Sequence, residues 1–240
     1  MTDRPEESMR TYWDDAARKN AAWYVDTTLD FETPDMDRFM ETGRSIVAEA
    51  LSDASPVPAG RGLAIEIGSG LGRVCLALAD RFDKVIGIDI SPEMVRRARE
   101  LVTDARVSFE VGNGSSLSPV GDGQADFVLS FTVFQHIPDM DVIEGYIAEA
   151  ARVLKTDGVF VFQWNNTPGA RRWAARRRVL GFLQRTGLRP ERFGRNAPEF
   201  LGSRVPLERI KQGLAAGGLE LARTQGLGTL FAWAWAVKRG

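Results

Sequence analysis

A carboxylate, three closely spaced glycines, a second carboxylate and the chain's single histidine are the residues whose types and spacing point to chemistry. Glu66 lies in an apolar run, Leu63 to Ile67, that leads into Gly68-Ser69-Gly70-Leu71-Gly72-Arg73. That order reads as a buried strand, a tight turn and the start of a helix. Glycine takes positive φ without strain and lets a ligand come close to main-chain N–H groups. Open α/β sheets hold nucleotides at such a turn, at a strand's carboxyl end. A dinucleotide fingerprint has the spacing Gly-x-Gly-x-x-Gly; here the third glycine comes one residue early and Arg73 holds its place. A carboxylate just before the turn suits an ammonium or sulfonium group better than a pyrophosphate. Asp89 ends the next apolar run, and His136, with an ordinary pKa of ~6.5, is suited to accepting a proton. The structural alternative for His136 is a helix-entry residue before Ile137-Pro138.

The elements that must position these residues follow from periodicity. After the glycine turn, Leu71 to Phe82 reads as a helix and Lys84 to Asp89 as a second buried strand. Ser91 and Pro92 cap a helix carrying Met94, Val95, Ala98 and Leu101. Strands follow at Arg106 to Val111, Asp126 to Phe131 and Val159 to Trp164, with a helix from about Asp139 to Leu154 between the last two. Strands alternating with helices predict a doubly wound, mostly parallel α/β sheet. Pro206 to Gly217 is a last helix. Leu219 to Thr224 and Leu230 to Val237 lie too close for a crossover and close the sheet as an antiparallel hairpin.

Two segments stand outside that rhythm. Residues 1–60 form an N-terminal helical extension: an amphipathic helix over 9–24, with Asn20 in its stripe, and a second from about Pro34 to Leu51, capped by Thr33. Residues 165–205 interrupt the fold after the fifth strand and read as a lid-like insertion over the ligand face. Charge separates the two. Residues 1–60 hold thirteen acids against six bases, and residues 171–195 hold nine arginines against one acid. The whole is expected to be one domain over 1–240.

Composition narrows the class. A net charge of −1 gives no global field for nucleic acid. One cysteine and one histidine exclude a zinc cluster, so no metal is expected. The longest apolar run, Leu230 to Val237, is far short of the ~20 residues that span a bilayer. With a polar, charged start at Met1 to Arg10, the chain is expected to be cytoplasmic, without a membrane partner.

Five stretches in order carry a family resemblance over roughly Leu63 to Val237. They are the glycine turn, Gly87-Ile88-Asp89-Ile90-Ser91, Gly112-Asn113-Gly114, Asp126 to Phe131 running into Phe134-Gln135-His136-Ile137-Pro138-Asp139, and Arg152-Val153-Leu154-Lys155-Thr156-Asp157-Gly158. The chain resembles class I S-adenosylmethionine (SAM)-dependent methyltransferases acting on small molecules, whose sheet has seven strands. The resemblance implies SAM as cofactor, with Glu66, Gly68, Gly70 and Arg73 around its methionine end and Asp89 on the ribose hydroxyls. It implies Ile90 and Met94 against the adenine, Gly114 and Asn113 beside it, and Ser130 and Phe131 presenting backbone to the methionine moiety. Where the family usually has Asp for the adenine amino group this chain has Asn113, whose oxygen still accepts. It places a small-molecule acceptor near Gln135 and His136, with Tyr12, Trp13 and Tyr24 closing the pocket.

His136 as base favours a hydroxyl acceptor, and a rate rising with pH through a pKa near neutrality. An N-methyltransferase on a small amine and a non-catalytic SAM-binding module are the alternatives. A nicotinamide oxidoreductase is disfavoured by the glycine spacing and Glu66. The chain is expected to be a monomer or a homodimer. The arginines at 171, 172 and 176–178 read as a solvated face or as a site for an anion.

Overall fold

Short apolar runs bounded by turn residues become seven strands in the computed structural model, which describes residues 5–169, 179, 200 and 202–240. The strands are β1 (Leu63–Ile67), β2 (Lys84–Asp89), β3 (Val107–Val111), β4 (Ala125–Ser130), β5 (Leu154–Trp164), β6 (Leu219–Gln225) and β7 (Ala232–Lys238). They form one sheet in the order β3-β2-β1-β4-β5-β7-β6. β1 to β5 run parallel, and β7 is antiparallel to both β5 and β6. The expected hairpin and doubly wound sheet are therefore present. Every residue of β4 is buried, as a central strand covered on both faces requires.

Six helices cover the sheet among the described residues: α1 (Pro5–Val25), α2 (Met36–Ala50), α3 (Arg73–Ala79), α4 (Pro92–Leu101), α5 (Met140–Val153) and α6 (Leu207–Ala216). On one face Ile143 and Ile147 of α5 and Ile210 of α6 pack with Phe160, Phe162 and Trp164 of β5. On the other, Val47, Leu78 and Val95 of α2, α3 and α4 pack with Phe127 and Trp235. Burying a side chain of this size is worth ~1.5–3 kcal/mol, so both faces hold the sheet.

Boundaries differ from expectation where a side chain outcompetes the pattern. α2 begins at Met36 because the Asp35 carboxylate accepts from Arg38 N; Thr33 is instead tied to Asp30. α1 is broken at Asn20, whose backbone is extended. Its Oδ1 accepts from Trp23 N and its Nδ2 donates to Phe31 O, so it caps a new helical segment rather than continuing the stripe. β5 begins at Leu154, with Lys155 to Gly158 bulged between two registers on β4. β7 starts at Ala232, leaving Leu230 and Phe231 exposed. The five clustered arginines and most of the expected insertion lie outside the described residues. Its two ends run side by side, Val205 N donating to Asn165 O.

The chain order reverses beside β1: β2 and β3 build outward on one side, β4 and β5 on the other. The crevice at the carboxyl ends of β1 and β4 is where such a sheet binds ligands.

Candidate functional site

The glycine turn after β1 is left-handed at all three positions: φ is +74° at Gly68, +50° at Gly70 and +83° at Gly72. A Cβ at Gly68 would also run into the Val133 side chain, so that position demands glycine twice over. Gly68 N donates to Ile88 O at 2.7 Å, and Gly70 N donates to Asp89 Oδ2 at 2.8 Å. Asp89 Oδ1 accepts from Ser91 N at 2.9 Å. One carboxylate thus joins the turns that follow β1 and β2. Burial pushes the Asp89 carboxyl upward, against these backbone N–H groups, which favour the anion. Each oxygen keeps a lone pair for a ligand hydroxyl.

Glu66 is buried, and its Oε2 accepts from the Cys75 thiol at 2.9 Å. Burial pushes its carboxyl up to about 8, in spite of the Cys75 hydrogen bond and the Arg73 charge. The group is therefore mostly neutral at pH 7. Beside it, Ser69 Oγ is buried with no partner among the described residues.

Arg73, first residue of α3, is buried as well. Its Nη1 donates to Asp26 Oδ2 at 3.2 Å and to Thr42 Oγ1 at 2.7 Å, and its guanidinium lies 4.8 Å from the Phe39 ring centroid. Burial lowers its pKa and the Asp26 charge opposes that. Arg73 reaches the ligand site, yet its hydrogen bonds bind α2 and the end of α1 to the glycine turn.

Across from the turn, β4 leads through Phe131 and Thr132 into a single 3₁₀ turn, Phe134–His136. Thr132 holds φ at +55°, an uncommon conformation for a β-branched residue. His136 Nδ1 meets Phe200 O at 2.5 Å. The carbonyl can only accept, so Nδ1 carries the proton and Nε2 the lone pair. The imidazole packs against Trp13 at 5.4 Å and Phe200 at 5.0 Å. Burial depresses its pKa to about 4, which replaces the near-neutral value expected from an ordinary histidine. Gln135 is buried, and its Oε1 has no partner among the described residues.

These groups surround one cavity of about 570 Å³. Of the residues expected at the site, Glu66, Gly68, Gly70, Arg73, Asp89, Ile90, Met94, Gly114, Phe131, Gln135, His136, Trp13 and Tyr24 line it. Three do not. Asn113 is exposed, and its Oδ1 accepts from Ser115 N and Ser116 N, so its side chain builds a turn. Ser130 is fully buried in β4 with its hydroxyl toward Ile67 O. Tyr12 sits edge-on against Trp13 at 5.3 Å and supports it from behind. Asn165 and Asn166 also lie apart from the cavity, bonded to Thr167, Val205 and Gly228. Among the described residues, no group of three acidic, His or Cys side chains is placed to hold a metal ion.

Sequence reasoning missed Asp26, Thr42, Tyr146, Phe200 and Phe231, all of which line the cavity. Only Asp26 and Thr42 carried a signal, as the acid and hydroxyl that a buried Arg73 needs. Arg152, by contrast, ties Asp122, Glu149 and two loop carbonyls together far from the cavity. Its stretch of the resemblance is structural.

Residues 65–162 match the model of a methyltransferase domain family. The chain is 32% identical over 100 residues to a malonyl-[acyl-carrier protein] O-methyltransferase of Geobacter sulfurreducens, a match covering 41% of this chain and 36% of that one. It is 36% identical over 104 residues to a 2-methyl-6-phytyl-1,4-hydroquinone methyltransferase of Synechocystis, covering 42% and 31%. The matched stretch is thus less than half of either relative. Across the whole fold, the magnesium protoporphyrin IX methyltransferase of Synechocystis, solved with bound SAH, superimposes with a TM-score of 0.64 at 19% identity. That match covers 99% of this chain and 100% of the other. No helix among the described residues is long and apolar enough to cross a membrane.

Proposed function

We infer that this chain, whose residues 65–162 match the model of a methyltransferase domain, transfers a methyl group from SAM to a small-molecule acceptor, at a hydroxyl oxygen. The observation that carries this is the single cavity lined at once by Glu66, the glycine turn, Asp89 and His136. Bound SAM supplies a methyl group on a sulfonium, open to in-line attack. Asp89, already fixed by Gly70 N and Ser91 N, would take the ribose hydroxyls on its remaining lone pairs. Glu66 would ionise to face the ammonium, and Ile90 and Met94 would flank the adenine. The protein's remaining work is to hold the acceptor in line and keep water out.

His136 is held as a neutral imidazole with Nε2 as acceptor, the form that takes a hydroxyl proton as the oxygen attacks. Its pKa of about 4 makes it a weak base. That one observation favours the second reading, an amine acceptor that needs no base before transfer. We propose that residues 1–240 act as one domain, with the segment 1–60 closing over the cavity that its Met9, Trp13 and Tyr24 line. The test is a coupled assay for SAH formation with matched phenol and aniline acceptors. The reading expects SAH to appear with acceptor, and preferentially with the phenol. Preferential turnover of the aniline would move the assignment to nitrogen. Absence of turnover in a protein that binds SAM would make it a binding module.

A further inference from the structure

Tyr146, in the middle of α5, lines the cavity and is 6% exposed. Its hydroxyl has no hydrogen-bond partner among the described residues, yet it is not sealed as Ser69 Oγ and Gln135 Oε1 are. The little surface that the residue keeps thus includes this oxygen, and it opens on the cavity. A phenol hydroxyl both donates and accepts, and a group of that kind is met wherever it can be. The ring is not free to turn away. It stacks on Phe134 at 6.0 Å, and Phe134 lies against Phe160 and Phe162 at 6.2 and 5.3 Å. All four rings belong to the core on that face of the sheet, so the hydroxyl is presented at a fixed point.

That point lies at the Asp89 end of the cavity. Burial, then the charges of Asp89 and Glu6, push the Tyr146 pKa up, so the hydroxyl keeps its proton within reach of both carboxylates. The loop after β3 stands beside it. A Cβ at Gly145, one residue earlier on α5, would lie 3.5 Å from Ser115 O. A Cβ at Gly114 would lie 2.6 Å from Ile90 Cδ1 and 3.1 Å from Glu6 Cβ. Ile90, Gly114 and Tyr146 all line the cavity, and Glu6 does not. Asn113 is exposed, with its oxygen spent on Ser115 N and Ser116 N. Of the three polar side chains around this loop, Tyr146, Glu6 and Asn113, the tyrosine is the one that reaches the cavity.

Resting on the methyl-transfer reading above, we infer that Tyr146 is the residue that reads the base of the cofactor, its oxygen accepting a hydrogen bond from the adenine amino group. With the ribose on Asp89 and the base against Ile90, the edge of the adenine points toward α5 and its hydroxyl. Tyr146 binds and selects; it takes no part in methyl transfer. A site built to hydrogen-bond a ligand group rejects the analogue that lacks it, because the buried partner is then left unmet.

The experiment titrates two ligands, SAH and its 6-deamino analogue, which carries hydrogen where adenine has its amino group. Wild-type protein should bind SAH ~5–10-fold more tightly than the analogue, the worth of one such hydrogen bond. Tyr146→Phe keeps the stack on Phe134 and should keep the wild-type unfolding midpoint. It should bind SAH ~5–10-fold more weakly than the wild type does and the analogue equally well. Tyr146→Met, the second variant should the first not fold, should give the same split. Glu6→Gln should retain the wild-type preference. Equal binding of the two ligands by the wild type overturns the inference. So does a preference that survives loss of the hydroxyl, or one that disappears in Glu6→Gln. A Tyr146→Phe protein that binds both ligands more weakly by the same factor overturns it too, since packing alone would do that. Failure of SAH to bind the wild type overturns the methyl-transfer reading instead.

Discussion

The two halves of the cavity are built on different principles. On the glycine-turn side, backbone N–H groups meet internal partners within a short span of sequence: Gly68 N on Ile88 O, Gly70 N and Ser91 N on Asp89. On the opposite side the lining comes from five distant places, around residues 13, 24, 135, 200 and 231. There Gln135 Oε1 is unmet and His136 is held neutral by burial. One half is a backbone cradle that local sequence dictates. The other is a wall assembled by tertiary packing. The contrast teaches that the donor site and the acceptor site of one cavity can fail separately.

The largest expected effect tests what joins the halves. Arg73 and Asp26 are 6% and 15% exposed and bridge the glycine turn to the end of α1. Breaking a buried pair from one side strands the other charge, at a cost of ~3–5 kcal/mol. Arg73→Met should lower unfolding stability in urea by that amount, and adding Asp26→Asn should recover much of it. Additive losses in the double variant would mean that the two residues do not act as a pair.

Next comes the acceptor half alone. Loss of a general base costs ~10²–10⁴ in rate, so His136→Ala should reduce turnover of a hydroxyl acceptor by that order and leave SAH affinity intact. Its folded pKa of about 4 lies below the ordinary 6.5, so the neutral form prevails through the physiological range. The rate should therefore fall only as pH drops toward 4, with no inflection near 7. A limb near neutrality that vanishes in His136→Ala would show a histidine more open to water than this one.

A smaller effect belongs to the donor half. The Glu66 carboxyl is raised from 4.5 to about 8 in the free protein, so folding holds its proton more tightly than the unfolded chain does. Stability without ligand should fall as pH rises from about 4.5 toward 8. Affinity for SAM, which needs the anion, should rise over the upper part of that window by up to ~10-fold per pH unit. Glu66→Gln should flatten both curves. A SAM affinity independent of pH in the wild type would detach Glu66 from the cation.

The same division explains what the sequence could reveal. The cradle was legible because glycines, Glu66 and Asp89 lie at strand ends, and strands show in apolar runs. Asn113 sat beside the right turn, but its oxygen is used by two neighbouring N–H groups; only coordinates show that. Leu230 and Phe231 continued the alternation of β7, yet pairing with β5 and β6 starts at Ala232 and Trp233. Asn20 fitted a helical stripe until its side chain capped the next segment. Phe200 and Gln135 meet through a contact between residues 64 positions apart, His136 to Phe200, which no local pattern encodes.

The most direct measurement of the central claim, that SAM is held by the cradle after β1 and β2, is calorimetric titration of SAH into wild-type protein and Asp89→Ala. Micromolar binding is expected for the wild type. The variant should bind more weakly by ~1.5–3 kcal/mol, the range for hydrogen bonds to a charged partner. Equal affinities in the two proteins, or no heat of binding in the wild type, would contradict the account.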